Sequence, residues 1–167
     1  MKAIKLSIFI LCFLFVQNKL LSAQSYKLSN ELEIYSFETS KGKKLSICKD
    51  KNDKYLVYRF GTKSKVELQY PAVLNEESWG KFSYSFYFRG GGKENAAMDI
   101  NSLTFVNGGF KYSVYDDYSA ETDETTVGIT VTQLSNKKET NIKGVLKTKK
   151  GALSAFRDND LVDKEEE

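Results

Sequence analysis

Histidine is absent from all 167 residues, proline and tryptophan occur once each, and cysteine occurs twice. Each scarcity excludes a chemistry. Without imidazole, the usual serine and cysteine triads lack their base and the common imidazole metal sites lack their ligand. Two cysteines cannot supply a structural zinc site. No glycine-lysine phosphate cradle and no dinucleotide fingerprint occurs. The reading is a non-catalytic chain: no catalytic residue, no metal and no cofactor is expected. No window of useful length carries a helical period.

One long apolar run is present, residues 6–16, preceded by Lys2 and Lys5 and followed by Gln17, Asn18, Lys19 and then Leu21, Ser22 and Ala23. A bilayer span needs about 20 apolar residues, so this run is too short. A basic start, a short apolar stretch and a small residue at the end form a secretory signal peptide, residues 1–23, cleaved after Ala23. Cys12 lies inside the apolar run with no small residue before it, so it reads as part of the leader and not as a lipid anchor.

Export changes the charge balance. The whole chain carries a formal charge of +3, but Lys2, Lys5 and Lys19 leave with the leader, and 22 basic residues then face 22 acidic ones. A neutral domain has no electrostatic basis for binding nucleic acid. Only Cys48 survives, so no internal disulfide forms, and the thiol is expected to be buried and inert. The remaining 144 residues suffice for one domain with a real core. The expected location is periplasmic or extracellular, with no membrane span in the mature chain.

What is present is alternation. Residues 31–37, 44–48, 55–60 and 66–70 read as short strands, parted by turn residues at Ser40, Lys41 and Gly42, at Asn52 and Asp53, and at Gly61 and Ser64. Pro71 ends the fourth strand because it has no N–H for the ladder. Later, Val127, Ile129 and Val131 alternate with Thr126, Gly128, Thr130 and Thr132. Turns every roughly 8–12 residues mark a sandwich or barrel. The fold class is all-β: a single antiparallel β-sandwich or flattened barrel of about nine short strands over residues 24–162, with an acidic, disordered tail at 163–167.

The chain is organised around residues 79–117. Phe82, Tyr84, Phe86 and Phe88 alternate with Ser83, Ser85, Tyr87 and Arg89, which places four aromatic rings on one strand face and predicts that all four turn inward. Asn107 and Gly108 form a two-residue hairpin turn, since type I′ geometry needs positive φ at both central residues. This turn pairs Phe105 with Phe110 and Leu103 with Tyr112. A three-residue loop would mix core and solvent faces.

Two features point to binding. Arg89, Gly90, Gly91, Gly92 and Lys93 join two strands; three glycines let a backbone approach a ligand, and the flanking cations suit an anion held in a backbone nest. Tyr58, Tyr87 and Tyr115 fall out of phase with the clearest apolar faces or sit at strand ends, and exposed tyrosines form platforms for sugar rings or protein contacts. The acidic residues Asp116, Asp117, Glu121, Asp123 and Glu124 match no calcium-loop spacing and read as solvated, and residues 118–125 read as a polar acidic loop.

Ser46, Ile47 and Cys48, the run 55–61, Val66, Glu67 and Leu68, Pro71, Arg89 with its three glycines, and Asn107 with Gly108 and Gly109 together resemble small exported bacterial β-proteins of unassigned function. The resemblance covers about residues 44–115. It implies a bacterial source and an envelope or secreted location, and assigns no residue a role. The expected function is an exported binding protein whose partner is another protein or a cell-envelope glycan. One form is an inhibitor or immunity protein that puts the glycine loop into the acidic cleft of a cell-wall hydrolase such as lysozyme. The other is a carbohydrate-binding module using surface tyrosines.

Overall fold

The structure, a computed structural model, describes residues 26–93 and 95–165. The expected leader and its cleavage point lie outside the described residues. Nine strands run in order: β1 Glu31–Glu38, β2 Lys43–Asp50, β3 Leu56–Thr62, β4 Lys65–Tyr70, β5 Ser83–Arg89, β6 Met98–Asn107, β7 Phe110–Ser119, β8 Glu124–Gln133 and β9 Glu139–Lys143. Two further strands have two residues each, β10 Lys150–Gly151 and β11 Asp163–Lys164. Short 3-10 turns occupy Glu76–Lys81, Leu146–Thr148 and Leu153–Phe156.

Among the described residues the strands form two open sheets, β10-β1-β2-β3-β4 and β11-β5-β6-β7-β8-β9, and no closed barrel. Pairing is antiparallel except between β11 and β5. The all-β sandwich therefore follows from alternation, as each sheet turns one face inward. Tyr35, Phe37, Leu45, Ile47, Leu56 and Tyr58 come from the first sheet; Phe82, Tyr84, Leu103, Phe105, Val114, Val127 and Ile129 come from the second. Phe105 sits at the centre of a ring cluster, with Tyr70 4.3 Å, Tyr58 4.8 Å, Tyr112 4.8 Å and Phe82 5.5 Å away between centroids. Such pairs add roughly 0.5–1.5 kcal/mol each beyond the area they bury.

Several expectations need correction. Only Phe82 and Tyr84 of the four aromatics are buried; Phe86 and Phe88 are 43% and 61% exposed. They point the same way, but beyond Tyr84 the inner face of β5 meets the Arg157 guanidinium, 5.0 Å from one ring and 5.3 Å from the other, in place of a strand. The hairpin loop has two residues, displaced by one position: Gly108 and Gly109 take φ of +57° and +80°, and Asn107 pairs with Phe110. Phe105 consequently faces Tyr112 and Leu103 faces Val114. The slip is one whole pair on each side, so the apolar faces keep their parity. Trp79 lies in the 3-10 turn Glu76–Lys81 and not in a strand.

The long acidic loop shrinks to residues 120–123, because Tyr118 pairs with Thr125 and Ser119 with Glu124. The described part of the tail is also ordered: Asp163 pairs with Ser83, Lys164 with Tyr84, and Glu165 N donates to Tyr84 O at 3.0 Å. Among the described residues, no helix is long and apolar enough to cross a membrane.

Candidate functional site

Parity along β6, β7, β8 and β9 determines what the six-stranded sheet shows on its outer face. Leu103, Phe105, Val114, Val127 and Ile129 point inward, so Ser102, Ser113, Tyr115, Asp117, Thr126, Thr130, Asn141 and Lys143 point outward. Together with Ile100, Thr125, Gly144 and Leu146 these outward residues line an open groove of about 590 Å³. Its depth has a local cause. Gly128 stands where every neighbour on that face carries a side chain, and an added Cβ there would lie 2.3 Å from the Tyr115 hydroxyl and 2.7 Å from Ile142 O. The missing side chain lets the Tyr115 phenol lie down across β8, where its hydroxyl donates to Asn141 Oδ1 at 3.0 Å. Glycine inside a strand commonly marks such a close approach.

Asp117 is the ionisable group at the opposite end of the groove. Its Oδ1 accepts the Asn101 N–H at 3.2 Å. Burial, and then the negative charges of Asp116 and Asp99, push its carboxyl up to about 6, against the opposing pull of that backbone bond. Asp116, next in sequence, points the other way into the sandwich. There it accepts Lys149 Nζ at 2.5 Å and Leu153 N at 3.3 Å, and so ties down the segment after β9. The two adjacent carboxylates therefore occupy opposite faces and do not converge as an acid-base pair. Asp123 sits in the turn with a φ of +51°. Among the described residues, no three His, Cys, Asp or Glu side chains are arranged to hold a metal.

The residues expected to bind a partner end in different places. Tyr58 is 1% exposed and packs on Phe105, so it has no surface role. Its strand has apolar side chains on both faces, and sequence phase alone mistook the inner one. Tyr115 lines the groove, and Tyr87, 42% exposed, is on the same outer face, opposite Ile100 of the groove wall. Gly90, Gly91, Gly92 and Lys93 are exposed, but none of the three glycines has positive φ, so they form no αR–αL anion nest. Arg89 Nε donates back to Ala96 O at 2.9 Å, which clamps the base of the loop. Sequence reasoning missed Asn141, Lys143 and the serine and threonine lining. The available signal was Gly128 within the threonine row of β8.

The outer face of the five-stranded sheet is closed by contrast. Residue 26 folds back over it, with Tyr26 Oη donating to Thr62 O at 2.6 Å and its backbone carbonyl accepting Arg59 Nη1 at 3.2 Å. Beneath it the Arg59 guanidinium forks onto Glu31, Nη1 to Oε2 at 2.7 Å and Nη2 to Oε1 at 2.8 Å. Tyr55 Oη and Leu28 N donate to the same carboxylate at 3.0 Å and 2.7 Å. Burial raises the Glu31 carboxyl, but the Arg59 and Leu28 hydrogen bonds and the Arg59 charge outweigh it and hold the group below its ordinary range. Cys48 is buried beside this cluster, its Sγ 3.2 Å from Ser46 Oγ, and burial pushes its thiol up to about 11. A thiol so protonated is a poor nucleophile.

The chain matches no protein-family model, no curated protein and no solved structure.

Proposed function

We propose that the chain is an exported, non-catalytic binding protein that holds a glycan against the outer face of its six-stranded sheet. The groove over Gly128 carries this reading. Its lining carries six groups that both donate and accept hydrogen bonds, Ser102, Ser113, Thr125, Thr126, Thr130 and Asn141, around one tyrosine ring. Ligands covered in hydroxyls need that mixture, since each hydroxyl also donates and accepts. A ring lying along the sheet supplies the apolar contact that a sugar face accepts. The groove is of ligand size yet open, which suits a segment of a polymer better than an enclosed small molecule.

Titration calorimetry with soluble cell-wall and capsular oligosaccharides tests the proposal. Binding is expected for the native chain, reduced at least about tenfold by Tyr115→Ala and less by Tyr87→Ala. A panel of such glycans that all fail to bind would remove it.

A second reading has the exposure of Gly90, Gly91, Gly92 and Lys93 in its favour: insertion of this basic loop into the acidic cleft of a cell-wall hydrolase. Lysozyme assays with and without the protein separate the two. Inhibition abolished by Lys93→Glu, with no glycan bound, would favour the loop.

A further inference from the structure

The two sheets are stitched together along one side and part just beyond the stitch. Past β9 the chain crosses over: Gly144 forms a bridge with Thr39 at the end of β1, and Val145 N donates to Glu38 O at 2.7 Å. Gly144 has no side chain to hold the layers apart; an added Cβ would lie 2.6 Å from the Phe37 ring and 2.8 Å from Val127. Two residues earlier, at Ile142, a cleft of about 460 Å³ opens between β9 and the turn joining β1 to β2. Its floor is the edge of the core. Phe60 and Ile142 both pack against the core cluster and stay only partly buried. Thr140 pairs with Val131, shares its inward face and so lines the cleft as well.

Among the described residues, every charged group lining this cleft is a lysine. Lys43 has the inward parity of Leu45 and Ile47. Its ammonium lies 5.7 Å from the centre of the Phe60 ring and pairs with Glu67 at 2.5 Å. Lys41, in the turn, and Lys143, on the edge strand, are exposed and form no ion pair among the described residues. The floor alone would take any apolar group, and the lysines alone would take any anion. Side by side in a cleft of ligand size they fit both in one molecule. We infer that this cleft binds an anionic amphiphile, a long-chain alkyl carboxylate whose chain covers Phe60 and Ile142 while its head meets Lys41 and Lys143. The site is separate from the glycan groove on the outer face, with which it shares only Asn141 and Lys143.

Titration calorimetry with decanoate, kept below its micelle concentration, tests this, with near-ultraviolet circular dichroism to confirm folding of each variant. The expected result is saturable binding, about tenfold tighter than that of octanoate. Decanol, with the same chain and no charge, should bind about fivefold more weakly. Lys41→Glu should weaken decanoate by about fivefold or more, and Thr140→Trp should abolish binding by filling the cleft. Both positions lie outside the glycan groove, so the outcome is independent of whether a glycan binds there. The absence of saturable decanoate binding overturns the inference, as does binding that either variant leaves unchanged. Decanol binding as tightly as decanoate also overturns it, since the lysines would then take no part. Inorganic phosphate binding as tightly as decanoate would do the same, by showing a site for anions alone.

Discussion

The two sheets treat their outer faces in opposite ways. On the five-stranded sheet the polar groups are buried and every one around Glu31 has a partner: Arg59 twice, Tyr55 and the Leu28 N–H occupy the carboxylate. On the six-stranded sheet the polar groups, largely serines, threonines and an asparagine, lie open in a groove, and the nearest tyrosine rests on a glycine. A closed, satisfied network spends its hydrogen-bonding capacity on the fold. An open one leaves that capacity for a ligand. Polar side chains on a sheet face therefore acquire a role from what lies over them, and the segment at Tyr26 makes that difference here.

The comparison breaks most sharply at Arg59. Arg59→Met leaves Glu31 buried without its counter-charge, and urea denaturation should show a loss of roughly 3–5 kcal/mol. A loss below about 1 kcal/mol would mean that this face is as open as the other. Next comes Gly128→Ala. The new methyl group displaces the Tyr115 phenol and crowds Ile142 O, which should cost about 1–3 kcal/mol and also abolish groove binding. Loss of stability with intact binding would place the ligand elsewhere.

Asp117 sharpens the contrast through pH. Its folded pKa of about 6 lies above the unfolded value, so the folded state holds a proton that the unfolded state has released. Its contribution is favourable below about pH 4 and is lost as pH rises through about 6. Asp117→Asn should then raise stability at pH 7.5 by on the order of 1 kcal/mol, discounted for partial exposure, with no gain at pH 4. Thermal denaturation at the two pH values decides it. Glu31 has the opposite sign: its folded pKa is depressed, so its contribution is present above the unfolded value near 4.3 and is lost on acidification through the folded one.

The smallest effect is at Cys48. Iodoacetamide at pH 8 should leave the folded chain unmodified over hours and label it promptly in denaturant, as intact-mass measurement would show. Prompt labelling of the folded chain would mean that the closed face opens.

How much of this was legible beforehand depends on the range of the interaction. The inward set Leu103, Phe105, Val127 and Ile129 could be read directly, because a strand alternates faces whatever surrounds it. The hairpin length was also legible, although three candidate turn residues, Asn107, Gly108 and Gly109, left its position uncertain by one. Phe86 and Phe88 show where local reasoning stops. They obey the alternation, yet their burial depends on how far the opposite layer reaches, and Arg157 stands 69 to 71 residues away from them in sequence. Tyr58 failed for a related reason, since Leu56 and Val57 are both apolar and either phase of β3 looked like a core face. The groove is legible only in one detail, a glycine within a row of threonines.

The sequence alone determined the fold class and the chemistries ruled out, because period-two alternation and the absence of histidine are properties of the chain that no packing can alter. Which polar face is sealed and which is open, and whether an aromatic ring is core or surface, were decided only in three dimensions. Those outcomes depend on contacts between residues distant in sequence, such as Glu31 with Arg59 and Tyr115 with Asn141, and on where one layer ends over another.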